Sequence, residues 1–295
     1  MKPTAIDHPL ILLLGTGTLL GLQLPLAKLA AAAGIDPFLW AAMISLLPGL
    51  ALALASAGRR WARTDLLAFG IVSGLLAYVI PNALLFTAVP HIGSGLAGLM
   101  YALSPVVTAA LSLVFKVRPP SRGLMVSVAL GFMGAVLIVL GRNGLTAPGA
   151  PQWLLLALLV PVSLAMGNVY RTARWPKDAP PAQIGAATNL LAVAPLLALN
   201  FWNGGLAAGP MLSHWQLSGG QWLVSLAMLS LFFRLQWVGG PTYLSQIGYV
   251  AAALSLAIGT IALGETYPPL VWAGALFILA GIVSAAFDRS ATKAA

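Results

Sequence analysis

Residues 242–284 read TYLSQIGYVAAALSLAIGTIALGETYPPLVWAGALFILAGIVS, forty-three positions with a single charge, Glu265. Two apolar runs lie across this stretch, near residues 241–263 and 269–287, with Glu265 and Pro268 in the break between them. Each run reaches the length of about 20 residues that carries a helix across roughly 30 Å of hydrocarbon. Pro269 suits a first helical turn, where its missing N–H would have no intrahelical partner. The stretch reads as two membrane-crossing helices joined by a short turn.

Outward from there, apolar runs and polar or Pro/Gly breaks alternate along the whole chain. The other eight spans lie near residues 9–33, 37–57, 65–88, 92–115, 121–141, 152–171, 181–202 and 221–238. Pro9, Pro37, Pro120, Pro151, Pro181 and Pro241 mark further starts. Composition agrees: 60% of the 295 residues are hydrophobic and 7% are charged, where a soluble domain needs about 25% charged residues to wet its surface. The first run exceeds the roughly 7–15 apolar residues of a signal peptide, so it is read as a retained helix although Ala31 to Ala33 imitate a cleavage site. The expected fold class is all-α integral membrane, with ten transmembrane helices.

The net charge of +9 is explained by its distribution. Counted by alternating side, one side holds thirteen basic residues: Lys2, Arg59, Arg60, Arg63, Lys116, Arg118, Arg122, Arg171, Arg174, Lys177, Arg234, Arg289 and Lys293. The other holds Lys28 and Arg142. Basic residues concentrate on cytoplasmic loops, which puts both termini in the cytoplasm of a bacterial-type inner membrane. The basic residues are not interleaved with aromatics along a groove, so no nucleic-acid partner is expected. Cysteine is absent, which excludes disulfides and thiolate chemistry. The longest connection, 203–220, is outer; Trp202, Trp215 and Trp222 around it read as an interfacial aromatic belt.

Shifting the chain against itself by 147 residues brings Pro48 onto Pro195, Gly93 onto Gly240, Ser127 onto Gly274 and Gly134 onto Gly281. Two five-span units follow, 1–147 and 148–295, and an odd number of spans inverts the second. Inverted repeats place a substrate near the bilayer midplane, between the halves. Residues 242–284, with Leu263-Gly264-Glu265 followed by Gly274 and Gly281, resemble the end of an EamA repeat of the drug/metabolite transporter superfamily. The first-half counterpart, GSGLAGLMYALSPVVTAALSLVFKVRPPSRGLMVSVALGFMGAVLIVLG (residues 93–141), has the same skeleton around Pro105. The resemblance implies a transporter. Among characterised members the chain is most similar to YddG-type exporters of aromatic and other neutral amino acids. Two departures stand out: Arg118 replaces the acidic residue that many members keep, and Trp40 to Ile44 lack the arginine that many carry.

Polar side chains inside spans must face protein or water. Tyr78 and Asn82 share a helical face in the third span; Tyr101, Pro105 and Thr108 form a stripe in the fourth. With Gln23, Gln246 and Tyr249 they are the candidate substrate-binding set, amide and phenol groups suited to a small zwitterion with an apolar side chain. The competing account is interhelical hydrogen bonding, about 0.6 kcal/mol per contact, preferred for Asn189 and Tyr170. Pro25, Pro81 and Pro161 are the candidate gating positions, because each frees a backbone carbonyl. Gly93-Ser94-Gly95-Leu96-Ala97-Gly98 fits the dinucleotide pattern but follows no strand, so it reads as a packing face, as do Gly17/Gly21 and Gly70/Gly74. Glu265 reads as a cap for the last helix or a partner for Lys28 or Arg142.

The six acids, Asp7, Asp36, Asp65, Asp178, Glu265 and Asp288, all fall at span ends or in loops. No mid-membrane carboxylate is available to cycle a proton, so facilitated export of amino acids or similar metabolites by alternating access is expected. The alternatives are efflux of amphipathic cations and, from a different class, a membrane-embedded lipid or peptide enzyme. The latter needs a nucleophile–base pair or a metal constellation; none is found, and no catalytic residue, metal or cofactor is expected. The expected partners are the small-molecule substrate and the lipid bilayer, with the chain a monomer or, alternatively, a dimer.

Overall fold

The computed structural model describes residues 8–58, 61, 63–114, 122–141, 150–204, 208–244 and 247–286. Lys2, Asp7, Arg59, Arg60, Lys116, Arg118, Arg142, Gln246, Asp288, Arg289 and Lys293 lie outside the described residues. Every regular element among those described is helical: α1 (Pro9–Ala32), α2 (Pro37–Ala55), α3 (Thr64–Gly74), α4 (Ile80–Ile92), α5 (Ser94–Val114), α6 (Arg122–Gly141), α7 (Ala150–Arg174), α8 (Pro181–Trp202), α9 (Gly209–Ser213), α10 (Trp215–Leu244), α11 (Ile247–Ile261) and α12 (Pro269–Ala286). A π-helical turn, Leu75–Val79, joins α3 to α4 in one continuous rod. Among the described residues, five stretches are long and apolar enough to cross a membrane: Leu10–Ala32, Pro37–Ala55, Thr64–Ile92, Gln152–Arg171 and Pro181–Trp202.

Local chemistry explains the helix starts. Pro9, Pro37 and Pro181 stand in first turns, and Asp36 Oδ1 caps α2 by accepting from the N–H groups of Phe38 (2.8 Å) and Leu39 (3.1 Å). Pro241 departs from expectation. It lies inside α10, which runs on to Leu244; a membrane helix tolerates an internal proline that a soluble helix does not.

Packing runs through small residues. A Cβ on Gly21 of α1 would lie 2.8 Å from the Ala251 carbonyl oxygen of α11, and one on Gly74 would lie 2.9 Å from that of Thr188 in α8. The GxxxG pairs therefore act as the packing faces expected of them. The principal contacts pair α6 with α12, α2 with α8 and α5 with α11. Around these, α1 packs on α10 and α11, while α7 packs on α4 and α5. Large apolar side chains such as Leu54, Phe132, Leu155, Phe201, Leu223 and Leu276 point outward. A soluble surface does not carry such a coat; a lipid-facing one does. Trp202 and Trp215 are exposed at 92% and 67% on either side of α9, as an interfacial belt requires.

Candidate functional site

The interior is polar where the π turn lies. In an ordinary helix the Ile80 N–H would bond the Leu76 carbonyl; here it reaches back to Leu75. The next residue, Pro81, has no N–H to offer. The Leu76 carbonyl is thus left free, and Ser163 Oγ of α7 donates to it at 2.7 Å. Gly167, one turn further along α7, lets that helix approach: its Cβ would stand 3.0 Å from the Ala77 Cβ. The chain thereby sets the π turn against α7 and brings Tyr78 and Asn82 opposite Asn168 and Arg171.

These four side chains, with Gln23 of α1, Ser45 of α2, Tyr101 and Ser104 of α5, Asn189 of α8 and Ser225 of α10, line a cavity of about 120 Å³. Its apolar wall is Leu20, Ile44, Leu164, Met228, Leu229, Phe232 and Ile247. Eight helices contribute, whereas α6 and α12 pack on each other away from it. Of the sequence candidates, Tyr78, Asn82, Tyr101 and Gln23 meet here. Tyr249 instead packs against the buried cluster of Leu85, Val89, Leu96 and Met100, and Gln246 lies outside the described residues. Tyr170 stacks on Phe69 with ring centroids 5.5 Å apart, the structural role expected of it. Asn189, expected to be structural, donates Nδ2 to the Gly185 carbonyl at 2.9 Å and also faces the cavity. The prolines flank the site: Pro25 follows Gln23 by two residues, Pro81 follows the π turn, and Pro161 precedes Ser163.

Sequence reasoning missed Arg171. Counted there with the inner basic residues, it is in fact 3% exposed and lines the cavity. One guanidinium N–H donates to Asn168 Oδ1 at 2.5 Å, the Tyr78 phenol shares the cavity with the group, and it lies 5.5 Å from the centre of the Phe232 ring. The available signal was the Asn168/Arg171 spacing of three, which puts both on one helical face.

A second polar cluster closes one end of the bundle. Glu265, in the turn between α11 and α12, lies at the N-terminus of α5 and not that of α12. It accepts hydrogen bonds from the Ser94 N–H (2.8 Å), Ser94 Oγ (3.0 Å) and the Gly95 N–H (3.1 Å), as well as from the Tyr267 hydroxyl. Lys28 Nζ of α1 completes an ion pair at 2.6 Å, and the Glu265 side chain is 6% exposed. Burial works to raise this carboxyl, but the Lys28 ammonium, the Tyr267 hydroxyl and the two N–H groups outweigh it and hold it at about 2. The positive end of α5 favours the same charge. Nearby, His91 stacks on Trp153 at 4.0 Å, tying α4 to α7.

Comparison with known proteins agrees with this architecture. A solved structure described only as "Crystal structure of protein" superposes with a TM-score of 0.58 over 91% of this chain and 96% of its own, at 22% identity, a likeness of fold. Three curated relatives, each named "Uncharacterized inner membrane transporter YedA" and found in Escherichia coli strains K12, O6:H1 and O157:H7, are 26% identical over 204 residues. That match covers 68% of this chain, which spans 64% of the relatives' length. Residues 9–140 match the EamA-like transporter family.

Proposed function

We propose that the chain exports small neutral metabolites, amino acids with aromatic or hydrophobic side chains foremost, by alternating access through the central cavity. The observation that carries this reading is the cavity itself: neutral amide and hydroxyl groups from seven helices, backed by an apolar wall, inside a bundle whose outer face suits lipid. Such a mixture fits the ends and the side chain of a small amphiphile. Efflux of amphipathic cations is the weaker alternative, because Arg171 would repel them. For a membrane-embedded enzyme, the lining offers no nucleophile beside a base among the described residues.

The proposed frame is ten spans in two inverted units, 1–147 and 148–295, with both termini cytoplasmic. The helix pairing supports it. If α1 corresponds to α7, α2 to α8, the α3–α4 rod to α10, α5 to α11 and α6 to α12, each of the principal contacts maps onto another or onto itself. Tyr101 and Gly248 are 147 positions apart, and a Cβ on Gly248 would collide with the Tyr101 carbonyl. Equivalent residues touch each other only at a two-fold axis. On this frame Pro25, Pro81 and Pro161 are the bends about which the halves gate, Gln246 belongs to the proposed binding set, and Tyr249 joins the site in another state of the cycle.

Proteoliposomes loaded with radiolabelled neutral amino acids test the proposal. Efflux should follow the substrate gradient and ignore an imposed pH step, since no carboxylate among the described residues lines the cavity. A zwitterion moves no net charge, so the membrane potential, worth about 2.3 kcal/mol per charge per 100 mV, should leave its flux unchanged. Uphill accumulation driven by a pH step would replace facilitated export with proton coupling. No flux of any amino acid would end the reading.

A further inference from the structure

A cavity at the centre of a membrane bundle holds one permanent cation, and among the described residues nothing nearby balances it. Arg171 is 3% exposed, and its neighbours are an amide, a phenol and an aromatic face, all neutral. The described acids are engaged elsewhere. Asp36 caps α2 and accepts from Asn203, Asp65 pairs with Arg63, Asp178 stands beside Arg63, and Glu265 holds Lys28. A guanidinium removed from water without an anion is costly and is normally paired.

The unsatisfied groups around it point the same way. Arg171 Nε and Gln23 Nε2 are buried in the lining without a hydrogen-bond partner, and the Ser45 hydroxyl is likewise unpaired. The two nitrogens can only donate. Asn189 Oδ1 is also buried in the lining without a partner, but it is a neutral acceptor and does not balance the guanidinium. The surplus is therefore of positive charge, the complement of a planar carboxylate that accepts through two oxygens and matches the guanidinium fork.

We infer that Arg171, assisted by Gln23, binds the carboxylate of the transported molecule, and that the site accepts small monocarboxylates whether or not they carry an amino group. The inference rests on the transport reading above and narrows it: amino acids are cargo because they are carboxylates. One fixed positive charge balances one negative charge, so monoanions are preferred to dianions, and amines lacking the carboxylate are refused.

The test uses the purified full chain and ligands built on methyl, isobutyl and benzyl frames, each as the acid, the amino acid and the amine. Binding is read by calorimetry in detergent and flux by proteoliposomes. On at least one frame, acid and amino acid should bind within about tenfold of each other and the amine at least a hundredfold more weakly. Arg171→Gln should weaken acid binding at least thirtyfold, Arg171→Lys should lose less, and Gln23→Leu should weaken it severalfold. Because the wild-type ligand series needs no variant, misfolding of Arg171→Gln would not spare the inference. Amines bound as tightly as acids, dianions bound more tightly than monoanions, no acid bound on any frame, or acid binding unchanged in a folded Arg171→Gln would each overturn it. Amine-selective flux would sink this inference and leave transport standing. Arg171-dependent acid binding without any flux would do the reverse.

Discussion

Glu265 accepts hydrogen bonds from α1, from α5 and from its own turn, and is held at about 2, against 4.5 for an ordinary glutamate. A carboxyl lower in the folded state than in the unfolded one stabilises the fold above the unfolded value, and that stability is lost as pH falls through the folded value. The melting temperature in detergent should be flat from neutral pH to about 4.5 and then drop toward about 2. Glu265→Gln should melt lower at neutral pH and lack the acid-side drop; an unchanged acid-side drop in that variant would assign it to another group. Within the cavity, Tyr78→Ala, Asn82→Ala and Tyr101→Ala should each reduce export at least tenfold with near-normal protein levels, and wild-type flux in all three would move the site elsewhere. Those three were legible because polar groups in an apolar run must face something. Arg171 was not, because Arg174 and Lys177 follow it and the three read together as a loop cluster. Glu265 was legible as a cap and as the partner of Lys28, but not as the cap of α5, since that contact joins residues 171 positions apart.

At the scale of elements, glycine contacts decide which helices come close. A Cβ on Gly21 would meet the carbonyl oxygen and Cα of Ala251 at 2.8 and 3.1 Å, backbone atoms that cannot rotate away. Gly21→Val should therefore cost about 1–3 kcal/mol or more, seen as a lower melting temperature or loss of the monodisperse peak. Gly219 in α10 has nothing within 4 Å of the same construction, so Gly219→Ala should be neutral or slightly stabilising. Most helix boundaries were legible, since apolar length and first-turn prolines act locally: Pro181–Trp202 matches its expected range, and Pro37–Ala55 ends two residues early. Pro241 misled because a proline within a membrane helix looks, in sequence, like a proline that starts one.

For the whole molecule, the expected orientation is testable without transport. Reporter fusions after residues 62 and 176 should report the cytoplasm, and fusions after 145 and 210 the exterior; one reversed site breaks the ten-span frame. The apolar, helical character of the chain was legible from composition because the bilayer imposes it on every span alike. Which helix lies against which was not. The pairings of α6 with α12 and of α2 with α8 depend on shape complementarity between segments more than 100 positions apart, and only the weak 147-residue echo hinted at them.

The π turn at Leu75–Val79 carries one residue more than α-helical phase allows. Everything beyond it is rotated by about 100° relative to an unbroken helix, the angle of one residue at 3.6 per turn. Deleting Leu75, Leu76 or Val79 would heal the ladder, leave hydropathy and span length almost untouched, and swing Asn82 away from the cavity. Cargo choice in such a scaffold can therefore change by an insertion or deletion of one codon, with every lining amino acid retained. Two chains that differ in this way would align as near-identical and present different walls to whatever they carry.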